Sequence, residues 1–342
     1  MEPPASLQPK AIVDEKVKLF QAMRPLDPDE LVAMPTGPAP AIPTRQGGWN
    51  GQGVFTWGMT AFVLSGGANR GSIQAGMLEA LLDAGIRPDL LVGESIGAAN
   101  AAFLAADPSP ERARRLSALW RRVQPDDVFP INPLRMARAL VSGTGLFPTT
   151  GLRRLLEREL PYRTIQQAAV PLRIVAARLE DGAAVVFDAG PVVDAVLASA
   201  ALPGIFPPQR VDGQLYVDGG LAGHDPLAPA LQAGAETVYL LSVGFPCPPP
   251  SAPSSTRAVL LHAIGLLLAQ RYRFEEPCLP THHPKPRIIQ LPTVCTNAGL
   301  RDFSHTAELI RAARAQAARF LAGQGMLGGG DHAPPEAGRL AG

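Results

Sequence analysis

The chain is expected to fold as an α/β protein with parallel strands and helices on both faces of the sheet. Two observations carry that expectation. Over residues 60–105 a strand, a glycine loop, a helix, a second strand, a sharp turn and a second helix follow one another without a linker. The 342 residues, 46% hydrophobic and 18% charged, also supply enough apolar material for a large core of ordinary globular type.

The first strand is Thr60-Ala61-Phe62-Val63-Leu64, an apolar run that enters Ser65-Gly66-Gly67-Ala68-Asn69-Arg70-Gly71. In the helix that follows, Ile73, Met77 and Leu81 share one face with Leu78 and Leu82 beside them, and Gly85 stands where a C-terminal cap belongs. Leu90-Leu91-Val92 is the second strand, and the small residues from Ala98 onward open the second helix. Residues 111–123 read as a basic amphipathic helix whose arginines form a solvated face, and residues 152–160 as another helix. Residues 172–177 and 183–187 are strands joined by an Asp181-Gly182 turn into a hairpin. Residues 192–201 form a short helix stopped by Leu202-Pro203-Gly204, and residues 211–217 a hairpin edge that delivers Asp218-Gly219-Gly220. A core strand over 237–243, a flexible loop over 246–253, a strand over 287–291 and a closing helix over 303–322 complete the pattern. Residues 257–273, apolar around most of the helix surface, read as a buried core helix. The flanks differ in kind. Residues 1–59 are rich in proline and glycine and are expected to be a largely irregular arm, helical only at 11–23, while 323–342 are expected to be a disordered tail. Residues 60–322 would then be one catalytic domain.

Composition narrows the function. A formal net charge of +1 lacks the basic excess of a nucleic-acid binder, so no nucleic-acid partner is expected. The three cysteines, Cys247, Cys278 and Cys295, are odd in number and show no C-x-x-C spacing, which argues against a disulfide framework and a zinc site and for a reducing cytoplasm. The N-terminus lacks the pattern of a signal peptide. The longest apolar stretch, residues 258–269, is too short to span a bilayer. Contact with a membrane surface is compatible with this composition; crossing one is not.

The chemistry centres on Gly93-Glu94-Ser95-Ile96-Gly97, between the second strand and the second helix. A turn of this kind lifts one side chain out at a helix N-terminus and needs near-hydrogen side chains on both flanks, so Ser95 is the candidate nucleophile. The glycine loop at residues 65–71 lacks the register of a dinucleotide fingerprint and carries Ser72 where a phosphate-binding loop has lysine. What remains is a nest of backbone N–H groups at a helix N-terminus, the requirement of an oxyanion hole. Both loops follow parallel strands and would lie at one edge of the sheet. Asp218, between Val217 and two glycines, is the candidate base.

These residues carry a resemblance. Phe62-Val63-Leu64-Ser65-Gly66-Gly67, with Arg70-Gly71 and Gln74-Ala75-Gly76, resembles the oxyanion-loop block of the patatin-like phospholipase family. Gly93 to Ala98 resembles its nucleophile block, and Ala198-Ser199-Ala200-Ala201-Leu202-Pro203-Gly204 through Asp218-Gly219-Gly220 its aspartate block; Leu146 to Leu156 is similar to a segment between them. The resemblance implies a three-layer α/β/α sandwich with a mostly parallel central sheet and a serine lipid acyl hydrolase that works through an acyl-enzyme intermediate. It implies a Ser95–Asp218 dyad, an oxyanion hole from the N–H groups of Gly66, Gly67 and Ala68, a lipid substrate, and no cofactor or metal. Arg70, Gly71, Gly93, Gly97, Gly219 and Gly220 are the supporting positions; for Arg70 a loop-anchoring salt bridge is preferred to contact with a phosphate or carboxylate. Two departures stand out. Ala68 replaces the third glycine of the usual run, and a methyl group there disfavours positive φ. His224 stands where the family often has Asn, and is read as structural.

Two other readings compete. An α/β-hydrolase with a Ser-His-Asp triad would need a histidine after Asp218, and His224, His262, His282, His283 and His305 all qualify by order. A silent lipid-binding protein of the same fold would have no need of Ser95 and Asp218.

Overall fold

The computed structural model describes residues 48–49, 55–56, 58–132, 145–222, 227–243, 259, 263, 266, 285–296 and 298–326, all within the compact unit Thr44–Gly342. In chain order the strands are β1 Gly48–Trp49, β2 Phe55–Thr56, β3 Thr60–Leu64, β4 Leu90–Glu94, β5 Leu172–Arg178, β6 Ala184–Phe187, β7 Gln209–Val211, β8 Gln214–Asp218, β9 Thr237–Leu241 and β10 Arg287–Gln290. The helices are α1 Gly71–Asp83, α2 Ile96–Ala105, α3 Pro110–Arg122, α4 Pro125–Val128, α5 Thr150–Glu159, α6 Val192–Ser199, α7 Ala228–Gln232 and α8 Thr306–Gly323.

The main sheet runs β10-β9-β3-β4-β5-β8-β7, with β6 also on β5. Every pair from β10 to β5 is parallel, and β6, β7 and β8 add antiparallel pairs at the other end. Both faces of its centre are buried. Phe62, Leu64, Leu91 and Ile174 enter the core shared with α1, α2, α3, α6 and α8, whereas Ala61, Val63 and Val92 are equally buried on the opposite side. On that second face Arg173 donates to the carbonyl of Pro229 in α7. The result is a three-layer α/β/α sandwich around a mostly parallel sheet.

The register fixes the site. Leu64 pairs with Gly93 on one side and Leu241 on the other, so the loop after β3 and the turn after β4 emerge side by side. In α3, Ala113, Leu116, Leu119 and Trp120 are buried while Arg114, Arg115, Arg121 and Arg122 stay in solvent, as its pattern predicts. Arg112 is the exception: its guanidinium lies 3.8 Å from the centre of the Phe103 ring and its Nε donates to the Phe103 carbonyl.

Several expectations need correction. β1 and β2 form an antiparallel pair inside the stretch read as irregular, where aromatic residues favour strand. Order is also established before residue 60, since Met59 is buried and Gly58 N–H donates to Glu236 Oε2. At the other end residues 324–326 turn back on α8, Met326 N–H donating to the Leu321 carbonyl and Tyr239 O–H facing Met326 Sδ. Val259, Ala263 and Leu266 are helical, but they are exposed, Val259 at 52% and Leu266 at 45%, so this stripe of the segment read as a core helix does not face the interior. Cys295 is disulfide-bonded; Cys247 and Cys278 lie outside the described residues. An odd count rules out complete pairing only; it leaves room for one bridge beside one free thiol. The 11–23 helix and the 246–253 loop lie outside the described residues.

Candidate active site

The turn after β4 is as tight as its glycines demand. A Cβ on Gly93 would come within 2.5 Å of Ala98 Cα, and one on Gly97 within 2.2 Å of the Leu64 carbonyl oxygen. Between them Ser95 adopts φ 53°, ψ −125°, a backbone state that a residue with a side chain holds only where its surroundings impose it. Ser95 precedes the first turn of α2, and its Oγ donates to Asp218 Oδ2 at 2.6 Å. That is the length of a hydroxyl bonded to an ionised carboxylate.

Asp218 ends β8 and pairs in register with Ala176 of β5. It is 3% exposed, and its Oδ1 accepts from Gly220 N–H at 2.9 Å. Gly219 is pressed so closely to the Val175 carbonyl that a Cβ would lie 2.1 Å from the oxygen. Both glycines after the aspartate therefore have a local reason: one permits close approach, the other supplies a donor.

The glycine loop faces the serine. A Cβ on Gly66 would stand 3.0 Å from Ser95 Cβ and 3.6 Å from Oγ. Among the described residues, none accepts a hydrogen bond from the N–H groups of Gly66, Gly67 or Ala68. Ala68 adopts φ 54°, so the substituted position takes the left-handed conformation in spite of its methyl group. The loop is held at several points. Ser65 Oγ accepts from Val243 N–H at 3.0 Å, and Asn69 Nδ2 donates to the carbonyls of Gly299 and Asp302 at 2.8 and 2.6 Å. Arg70 anchors the loop through Nε to the Gly67 carbonyl, not through the expected salt bridge: among the described residues it has no ion pair. Burial lowers its pKa from the ordinary guanidinium value. Gly71 closes the loop against α2 and α3, where a Cβ would meet Ile96 and Trp120.

Behind the two loops runs a buried polar chain. Trp120 Nε1 donates to Asn100 Oδ1 at 3.0 Å, and Asn100 Nδ2 donates to Gln74 Oε1 at 2.8 Å and to the Gly71 carbonyl at 2.9 Å. Gln74 Nε2 donates to the carbonyls of Ser65 and Leu241 at 2.8 and 3.0 Å. The helix after the serine, the helix after the glycine loop and two strand ends are thereby tied together. Sequence reasoning assigned no role to Asn69, Gln74, Asn100 or Ser199. For Gln74, Asn100 and Ser199 the signal available was a polar residue in an apolar or small-residue helix, which burial obliges to find a partner.

Of the histidines, His305 is described: it is exposed, with Asp302 and Glu308 beside it. His224, His262, His282, His283 and His332 lie outside the described residues. Among the described residues Ser95 Oγ has Asp218 as its hydrogen-bond partner, and no group of His, Cys, Asp or Glu has a metal-binding arrangement.

Residues 62–231 match the model described as patatin-like phospholipase. Over 193 residues the chain is 31% identical to patatin-like phospholipase domain-containing protein 6 of Mus musculus, a match covering 56% of this chain and 14% of that protein. An NTE family protein of Mycobacterium tuberculosis is 29% identical over 183 residues, 54% of this chain and 48% of its own length. The chain thus spans less than half of either relative. Among solved structures, human GIVD cytosolic phospholipase A2 in complex with methyl gamma-linolenyl fluorophosphonate matches with TM-score 0.41 and 13% identity over 78% of this chain and 58% of that one. VipD from Legionella pneumophila matches with TM-score 0.41 and 14% identity over 78% and 67%. Over residues 62–231 this chain belongs to the patatin-like phospholipase family.

Proposed function

We propose that the chain is a serine lipid acyl hydrolase that cleaves fatty acyl esters of phospholipids or related lipids through Ser95 and Asp218. The observation that carries the reading is the 2.6 Å bond from Ser95 Oγ to Asp218 Oδ2, beside the N–H groups of Gly66, Gly67 and Ala68, which have no acceptor among the described residues. Ser95 Oγ attacks the acyl carbon as its proton passes to Asp218 Oδ2. The carbonyl oxygen becomes an oxyanion and takes hydrogen bonds from the N–H groups of Gly66, Gly67 and Ala68. Collapse breaks the ester C–O bond, and the proton on Asp218 goes to the departing alkoxide. Water then attacks the acyl-enzyme, gives its proton to Asp218, and the fatty acid leaves as Ser95 recovers its hydrogen.

Direct contact between the hydroxyl and the carboxylate favours the dyad over a triad, in which an imidazole would stand between them. The lipid is expected to be met at a membrane surface, with residues 60–322 as the catalytic domain and the cytoplasmic side as its place of work. Among the described residues no helix is long and apolar enough to cross a membrane. The test is incubation with mixed phospholipid vesicles followed by mass spectrometry of the lipids. Fatty acid and lysolipid are expected from the wild type and not from a folded Ser95→Ala; equal release by both would overturn the assignment.

A further inference from the structure

We infer that Ser199 is a positioning residue for the Ser95–Asp218 pair, acting through a clamp made by residues 199–201; the inference rests on the dyad reading above. Ser199 is the last residue of α6 and is wholly buried. Its Oγ accepts the backbone N–H of Ser95 at 2.8 Å and donates to the carbonyl of Val175. Two residues on, the carbonyl of Ala201 accepts the backbone N–H of Asp218 at 3.1 Å. One three-residue segment therefore holds the main chain of both members of the pair.

The local structure explains why this segment serves. α6 ends at Ser199, and the carbonyl of Ala201, beyond the helix, is available to an outside donor. Val175, the acceptor for Ser199, lies against Gly219, where a Cβ would also come within 3.4 Å of Ser199 Oγ. Ser95, Ser199, Val175 and Gly219 thus meet in one cluster, and Asp218 pairs with the next residue of β5, Ala176. Ser95 is held at positive φ, and its N–H is directed onto the Ser199 hydroxyl. Without that acceptor the turn is free to relax. A displacement of well under ~1 Å takes a hydroxyl–carboxylate pair out of its strongest range, and a misplacement of ~1 Å can cost roughly 100-fold in rate. A merely structural role for Ser199 would lower stability and leave turnover per folded molecule alone.

The experiment compares Ser199→Ala, Ser199→Cys and Val196→Ala on p-nitrophenyl butyrate, with the rate at which a fluorophosphonate labels Ser95 read by mass spectrometry. Val196 lies in the same helix, is wholly buried, and has no hydrogen bond from its side chain. Ser199→Ala is expected to lower both kcat and the labelling rate by roughly 10- to 100-fold with KM unchanged. Ser199→Cys, whose thiol is a weak donor and acceptor, should fall between it and the wild type. Val196→Ala should melt earlier yet keep the wild-type kcat. Wild-type kcat in folded Ser199→Ala overturns the inference, as does an equal loss in Val196→Ala. If Ser199→Ala does not fold, Ser199→Cys decides: a reduced kcat supports the clamp, and wild-type kcat or failure of both variants to fold overturns it. Ser95→Ala in the same assay separates the two claims. Turnover retained there would sink the dyad reading itself, whereas a dead Ser95→Ala with indifferent Ser199 variants would sink the clamp alone.

Discussion

Replacing Gln74 by methionine keeps the volume of a wholly buried side chain and removes its amide. Three hydrogen bonds are lost: to the carbonyls of Ser65 and Leu241, and from Asn100 Nδ2. They do not count equally. The Leu241 carbonyl still accepts Ser65 N–H at 3.3 Å, and Asn100 Nδ2 still has the Gly71 carbonyl for its other hydrogen. The net result is two orphans in a buried site, the Ser65 carbonyl and one Asn100 N–H. At about 1–3 kcal/mol for each buried group left without a partner, the loss is about 2–6 kcal/mol. That is a large share of the ~5–15 kcal/mol that holds a typical domain folded. Equilibrium urea unfolding with linear extrapolation measures it, with the m-value expected to stay constant. Adding Asn100→Leu should cost less than the sum of the two single changes, by about 0.5–3 kcal/mol, because the Asn100 orphan goes with its residue. A loss below ~1 kcal/mol for Gln74→Met, or strict additivity of the pair, would refute the claim that this amide ties the two loops together.

Gly97→Ala should leave little folded protein, because its methyl would meet backbone oxygens of Leu64 and Ser65 at 2.2 and 2.6 Å; a cooperative thermal transition near that of the wild type would contradict this. Leu266→Asp, on an exposed residue, should shift unfolding free energy by no more than ~0.5 kcal/mol, and a larger loss in urea unfolding would restore the core reading of this helix. Deletion of residues 1–57 should leave a cooperatively unfolding, active domain, since Gly58 and Met59 already fasten the chain to Glu236; loss of the calorimetric transition would make the arm structural.

The parts of the fold legible in the sequence are those set by near neighbours. β3, α1, β4 and α2 follow one another with hydrophobic periods that fix their type, and Gly93 and Gly97 mark the turn because strand and helix touch there. The hairpins at 172–187 and 209–218 were legible for the same reason, each having a glycine at positive φ in its turn, Gly182 and Gly213. What could not be read is the pairing of distant elements. Nothing near Asp218 in the chain reports that it lies beside Ala176, or that Ala201 holds its N–H. Its meeting with Ser95, 123 residues away, was expected from the order of motifs alone. Ala68 shows the limit of propensity: alanine disfavours positive φ by about 1–2 kcal/mol, yet the anchoring of Ser65, Asn69 and Arg70 on either side imposes it. Exposure of Val259 and Leu266 is the opposite case, since an apolar helix surface is read as interior by pattern and only tertiary structure tells which side is covered.

The central claim is that Asp218 receives the proton of Ser95 directly. Steady-state hydrolysis of phosphatidylcholine vesicles by Asp218→Asn tests it most simply, since the amide keeps the shape of the carboxylate and cannot act as the base. The account predicts a fall in kcat of roughly 10²- to 10⁴-fold in a protein that still unfolds cooperatively. His224→Ala, measured beside it, should keep most of the wild-type rate. Retention of that rate by Asp218→Asn, or an equal collapse in a folded His224→Ala, would contradict the dyad.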